Sequence, residues 1–328
     1  MNPAHWNRTC VLVLLLSLLT LPVAAQTLPT SLTEREVKVG TGEWAIDGTL
    51  TLPKGKGPFP AVLLVPGSGM GDRDVTVGPN KIFRDVAWGL ASRGIVVLRA
   101  EKRLSQHVEK FRSRRIMPSI RTEVIDDGVT GVEFLHSVPE VDKRRVYVLG
   151  HSQGATFAPQ IANEAGNVAG VVIVAGSTRK PGEMIEEQAA HVLATPNISE
   201  EERKGAEQAM AGAKQMRHLP DKDDEFVLGM PASYWRYFYQ YDAAAEAAKL
   251  KGRVLVIRNG RDYQVTEKDF SGYQKALAGR PNATLKVYPT LNHLMQEAKG
   301  NENPDDYEKI GGPSPEVIAD VANWLLQD

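Results

Sequence analysis

The chain has 328 residues, 42% hydrophobic, 24% charged and 7% aromatic, a composition that fills a large packed core and excludes extensive disorder. Lys and Arg number 39 against 40 Asp and Glu, a net charge of −1, so no basic excess is present to neutralise phosphates and nucleic acid is not an expected partner. Cys10 is the only cysteine, which excludes an intrachain disulfide and a cysteine-built zinc cage, and neither a metal nor a cofactor is expected.

Residues 1–25 have the pattern of an export signal: Arg8, then an apolar run from Val11 to Leu21, then the small residues Val23-Ala24-Ala25 ahead of Gln26. The run is shorter than the roughly 20 residues needed to span a bilayer, so removal after Ala25 is expected rather than a stable membrane anchor. The expected destination is the periplasm or the outside of the cell.

Apolar and polar residues alternate over 34–53 through Val37, Val39, Trp44, Ile46, Leu50 and Leu52, with Asp47-Gly48 as a hairpin turn signal. Short β-branched runs then recur at 61–65, 95–98, 146–149, 168–174, 254–257 and 285–288, as expected of buried parallel strands. Helical patterns lie at 81–92, 120–137, 155–163, 267–277 and 315–326. The alternation predicts an α/β fold, a mostly parallel central sheet flanked by helices. Between the fourth and fifth of these parallel strands the spacing opens to about 80 residues, too long for one crossover. A helical cap insertion is therefore expected at 181–250, with helices at 183–194, 199–218 and 231–250, dividing a core of 26–180 and 251–328. Ser199 followed by Glu202 reads as a capping box opening the second of them.

Directly after the strand at 146–149 comes Gly150-His151-Ser152-Gln153-Gly154, followed by a helical run. A serine on a sharp strand-to-helix turn projects its hydroxyl out of the sheet, and the amide of the next residue, Gln153, faces a developing oxyanion. That hydroxyl needs a base. Of seven histidines, His5 leaves with the signal, His191 and His218 fall in the cap, and His107 and His136 lie upstream, where surface or packing roles fit better. His151 is inside the turn with its side chain directed elsewhere. His293 alone follows the last strand, on a loop leaving the carboxyl edge of the sheet, and is the expected base.

The base needs a carboxylate to fix its tautomer. Asp262 sits at the rim of a glycine turn in Asn259-Gly260-Arg261-Asp262 after the strand at 254–257, and is the expected acid. Asp269 competes, although a role in capping the next helix, three residues after Thr266, accounts for it as well. The second oxyanion donor is expected from Pro66-Gly67-Ser68-Gly69, at the Ser68 amide with Gly69 as the alternative. That loop does not fit a dinucleotide site, because position 72, where a third glycine belongs, is Asp72. Tyr234, Trp235, Tyr237, Phe238, Tyr239 and Tyr241 crowd at the end of the cap. Such clusters are more often packing than ligand contact, but Tyr234 and Trp235 are candidates to roof an acyl pocket.

With these residues placed, the chain resembles the α/β-hydrolase superfamily over roughly residues 34–326, and more closely exported bacterial esterases of the serine aminopeptidase-like group. The resemblance rests on the order Ser152, Asp262, His293, on Pro66-Gly67-Ser68-Gly69 with Asp72-Arg73-Asp74, on Glu101-Lys102-Arg103, and on Gly260-Arg261-Asp262-Tyr263-Gln264-Val265. It implies an α/β-hydrolase fold, Ser152 as nucleophile with Asp262 and His293, and an oxyanion hole of the Ser68 and Gln153 amides. Glu101 stands where the family commonly has Asp, at a position expected to be structural. The implied activity is hydrolysis of carboxylic esters with small to medium acyl groups, the partner a small-molecule ester. A peptidase with the same triad would use cap carboxylates such as Glu186 and Glu187 for a substrate amino terminus. A non-catalytic binding protein on this fold is the other alternative, at odds with an intact triad.

Overall fold

A computed structural model describes residues 27–300 and 304–327; the expected export signal lies outside the described residues. The described chain opens with an antiparallel pair, β1 (Leu32–Val39) and β2 (Ile46–Pro53). Its turn is not at Asp47-Gly48. Lys38 pairs with Asp47 and Val37 with Gly48, so this dipeptide lies inside the ladder and the chain reverses over 40–45, where Gly40 and Gly42 take φ of +83° and +67°. Gly48 is required for space instead: a Cβ there would come 3.0 Å from the Arg99 carbonyl oxygen.

The chain continues through β3 (Phe59–Val65), α1 (Ile82–Ala91), β4 (Val96–Ala100), α2 (Asp126–Ser137), β5 (Val141–His151), α3 (Gln153–Ala165) and β6 (Gly170–Val174). A π-helical turn, Arg121–Ile125, precedes α2, so the helix expected from residue 120 opens on a widened turn. Next come α4 (Pro181–Ala194), α5 (Glu200–Gln215), α6 (Ala232–Gln240) and α7 (Ala243–Lys249). The capping box of Ser199 and Glu202 is formed. The expected helix over 231–250 is broken instead at Tyr241, because the Asp242 carboxylate accepts the Ala245 amide at 2.9 Å and starts a new helix. The chain then forms β7 (Arg253–Asn259), α8 (Glu267–Ala276), β8 (Ala283–Tyr288) and α9 (Pro315–Leu326).

The eight strands lie in the order β1-β2-β4-β3-β5-β6-β7-β8. β1, β2 and β4 pair antiparallel and all later neighbours parallel. Alternate residues of each strand feed opposite faces. Leu63, Val65, Val148 and Ile173 join the core under α2 and α3, while Val62, Leu64, Leu149 and Val172 pack against α1 and α9. Burial on both faces is why the strands read as continuous apolar runs. The aromatic residues of α6 join the first of these cores, with Phe157 of α3 lying 5.1 Å from Phe238 and 4.6 Å from Tyr241. Among the described residues no helix is long and apolar enough to cross a membrane.

Candidate active site

β5 ends at His151 and α3 begins at Gln153, leaving Ser152 alone to make the turn, at φ +56° and ψ −122°. A non-glycine residue there is strained, and the surroundings hold it. The Ser152 amide donates to the Val174 carbonyl of β6 at 3.0 Å, and its carbonyl accepts the Thr156 amide at 3.0 Å. The flanking glycines are steric necessities. A Cβ on Gly150 would lie 2.3 Å from the Gly154 carbonyl oxygen, and one on Gly154 would lie 2.2 Å from that of Val65. Gln153 is the first residue of α3, so its N–H is among those a helix leaves without an intrahelical acceptor. Gly67 lies directly over the serine, where a Cβ would come 3.1 Å from Ser152 Cβ and 3.5 Å from Oγ. The glycine loop after β3 and the turn after β5 are thus in contact.

His293 Nδ1 lies 2.7 Å from Asp262 Oδ2, with side chains 5% and 0% exposed. The other carboxylate oxygen, Oδ1, accepts the amides of Gln264 at 2.7 Å and Val265 at 3.0 Å. Asp262 thus accepts bonds at both oxygens, and its contact with the imidazole favours the His293 proton on Nδ1. The loops carrying the two residues are laced together. Arg261 N donates to Leu291 O at 2.8 Å and Gly260 N to Tyr288 O at 2.7 Å. Within the histidine loop, Asn292 Oδ1 accepts the amides of Leu294 and Gln296.

Asp269 is committed elsewhere. Its carboxylate accepts Ser177 Oγ at 2.6 Å and the Arg179 guanidinium at 2.7 Å, and is fully buried. Burial alone would push this carboxyl up, but the bonds from Arg179 and Ser177 overcome it and hold the group below the ordinary Asp range.

The His151 side chain is not directed away from the site. Its Nε2 lies 2.8 Å from the His293 carbonyl and its ring 4.7 Å from that of His293, with Phe83 edge-on at 6.4 Å. Burial, then the neighbouring His293, pushes it down to about 3. No pattern in the pentapeptide signals this contact, because its partner lies 142 residues away.

Ser68 is exposed and Gly69 buried. Behind them runs a polar chain that the sequence did not suggest. Lys102 Nζ donates to Gly69 O at 2.9 Å and to Glu123 Oε1 at 3.0 Å. Tyr234 OH donates to Glu123 Oε2 at 2.7 Å and accepts from Gln153 Nε2 at 2.5 Å. Tyr234 is thereby tied to the residue after Ser152. Trp235 lies edge-on to Tyr234 at 5.1 Å and donates Nε1–H to Val227 O at 2.7 Å. Glu101 pairs with Arg73 at 3.0 Å, its carboxyl raised by burial against that guanidinium. His107 and His136 meet the Ala45 and Asn167 carbonyls, and His191 of α4 stacks on Tyr263 of the Asp262 loop at 4.3 Å. Among the described residues no group of three or more His, Cys, Asp or Glu is placed to hold a metal ion.

Residues 62–310 match the alpha/beta hydrolase family. Over 299 residues the chain is 40% identical to esterase EstD of Thermotoga maritima, covering 91% of this chain and 69% of that protein. Among solved structures it is similar to an esterase of Pyrococcus furiosus, with a TM-score of 0.57, 16% identity and coverage of 90% and 91%. It is also similar to Est1E of Butyrivibrio proteoclasticus, with a TM-score of 0.55, 15% identity and coverage of 89% and 97%.

Proposed function

The chain belongs to the alpha/beta hydrolase family, and from that premise we propose that it is a serine hydrolase cleaving carboxylic esters through an acyl-enzyme on Ser152. The observation that carries this reading is the sealed 2.7 Å Asp262–His293 bond, set against the residue preceding a strained serine. In the reaction His293 Nε2 takes the Ser152 proton as Oγ attacks the ester carbonyl. The oxyanion is met by the Ser68 and Gln153 amides, and collapse expels the alcohol, which receives the proton from His293. Water then repeats the sequence on the acyl-enzyme and frees the acid. The 40% identity to an esterase supports ester rather than amide substrates.

The aminopeptidase alternative has less support. Glu186 pairs with Arg217, and Glu187 with Arg179 and Lys268, so both cap carboxylates already face cations.

The finer substrate reading is for small to medium acyl groups, with Tyr234 and Trp235 of α6 as the wall: each added methylene gains about 0.8 kcal/mol until a close-packed barrier is met. The pattern of Arg8, the apolar run and Val23-Ala24-Ala25 supports export to the periplasm or beyond.

Labelling with a fluorophosphonate and mapping the adduct tests the nucleophile. Ser152 alone is expected to be labelled, and Ser152→Ala to be folded and unlabelled. On p-nitrophenyl esters, acetate and butyrate should turn over faster than palmitate. Faster cleavage of aminoacyl anilides than of esters would transfer the assignment to a peptidase.

A further inference from the structure

The two residues assigned as oxyanion donors lie on different segments, Ser68 in the loop after β3 and Gln153 at the first residue of α3, and share no secondary structure. Their buried connections nevertheless converge on one carboxylate. From the first loop the path runs from Gly69 O to Lys102 Nζ to Glu123 Oε1, and from the second it runs from Gln153 Nε2 to Tyr234 OH to Glu123 Oε2. Glu123 lies in the π-helical turn before α2, a local irregularity that often marks functional positions. Lys102 and Glu123 have side chains 6% and 5% exposed. A buried ion pair of this kind is weak support for stability, because the desolvation cost cancels much of the attraction.

We propose that Glu123 is a positioning residue that sets the two oxyanion donors against each other, acting through Lys102 on the Ser68–Gly69 loop and through Tyr234 on Gln153. The anchor on the first loop falls one residue past Ser68, at Gly69, whose φ of +96° lies in the region that favours glycine. On the second, proton counting fixes the orientation. Tyr234 has one proton and gives it to a carboxylate that can only accept, so Gln153 must present its NH₂ to the phenol oxygen. Burial, with Glu123 adding to it, holds Tyr234 well above the ordinary range, so the phenol stays a donor at any working pH. Because Tyr234 belongs to α6, the arrangement is complete only with the cap seated: an unseated cap leaves Gln153 without its partner.

This inference rests on the ester-hydrolase reading, and the experiment separates the two. The wild-type chain is assayed first on p-nitrophenyl butyrate; no turnover would overturn the reading and the inference with it. Given turnover, the decisive variant is Lys102→Met with Glu123→Met, which removes the ion pair together and leaves no orphaned charge. It is expected to fold with a Tm near that of wild type and to lose about 10²-fold in kcat through misplacement of the donors, with KM little changed. Affinity for a trifluoromethyl ketone, which forms a tetrahedral oxyanion on Ser152, should fall in parallel, while the pH of the acidic limb set by His293 stays in place. Tyr234→Phe cuts only the Gln153 arm and is expected to lose roughly 10-fold, a part of the loss one oxyanion donor carries. If the double variant does not fold, Glu123→Gln is read by the same criteria. A folded variant with wild-type kcat, or a loss confined to KM with ketone affinity intact, overturns the proposal.

Discussion

His151 donates its Nε2 proton to the carbonyl oxygen of His293 across 2.8 Å. A carbonyl only accepts, so the imidazole carries hydrogen at Nε2 and its Nδ1, buried without a partner, is bare. His151 is thus neutral, with its pKa pushed down to about 3 by burial and by His293 beside it. Its bond to the backbone ties the His293 loop to the turn at Ser152.

One consequence concerns the rate. Since His151 does not titrate until about pH 3, the acidic limb of kcat/KM is expected to have a slope of one. A rate profile between pH 4 and 9 checks this, and a slope of two would mean that both imidazoles take protons together.

The same group shapes acid stability. The unfolded chain protonates His151 near pH 6.5 and the folded chain only near 3, so unfolding takes up a proton in that window. Stability conferred by the neutral ring is whole above pH 6.5 and is lost as pH falls toward 3, at up to about 1.4 kcal/mol per pH unit. Urea midpoints at pH 7 and pH 5 should therefore fall less steeply in His151→Asn than in the wild type.

Asp262 and Asp269 follow the same strand but should fail differently. Asp262→Asn is expected to lose on the order of 10⁴ in kcat, as in a serine protease, because an amide favours the wrong tautomer, with a small change in Tm. Asp269→Asn removes the buried anion that Ser177 and Arg179 bond, leaves Arg179 its pair with Glu187 alone, and should cost about 1–3 kcal/mol of stability while kcat stays near wild type. Paired kcat and Tm measurements decide it; the opposite pattern would reverse the two assignments.

Gly154→Ala tests the packing of the turn. In an exposed helix interior this change gains about 1 kcal/mol, but here the new Cβ would lie 2.2 Å from the Val65 carbonyl oxygen and 2.5 Å from that of Pro66. Backbone on both sides cannot yield, so a loss of about 3 kcal/mol or more is expected in place of the gain. A thermal melt reads the sign directly.

Ser152 was legible in the sequence because strand, sharp turn and helix are neighbours in the chain, and each has its own local pattern. The pairing of His293 with Asp262 was legible by elimination among seven histidines. The choice of Asp262 over Asp269 was legible in part, because Asp269 stands at a capping spacing from Thr266, whose amide it accepts, whereas its partners Ser177 and Arg179 lie about 90 residues away and gave no signal. Glu123 gave no signal at all: its partners lie 21 and 111 residues away. Asp47-Gly48 misled because a turn dipeptide is a local preference, whereas the space Gly48 leaves is imposed by Arg99 on another strand. The break at Tyr241 had a readable sign in Asp242, an N-cap residue ahead of an alanine-rich run.

The separation of 142 residues between His151 and His293 has a consequence in time. A ribosome adding roughly 5–20 residues per second finishes the Ser152 turn on the order of ten seconds before it makes His293. β8, which places His293, sits at the sheet edge and pairs with β7 alone. With the roles proposed above, the serine is made before its base and waits for that strand to dock, so a growing or prematurely released chain is expected to be silent toward esters until the last strand of the sheet is in place.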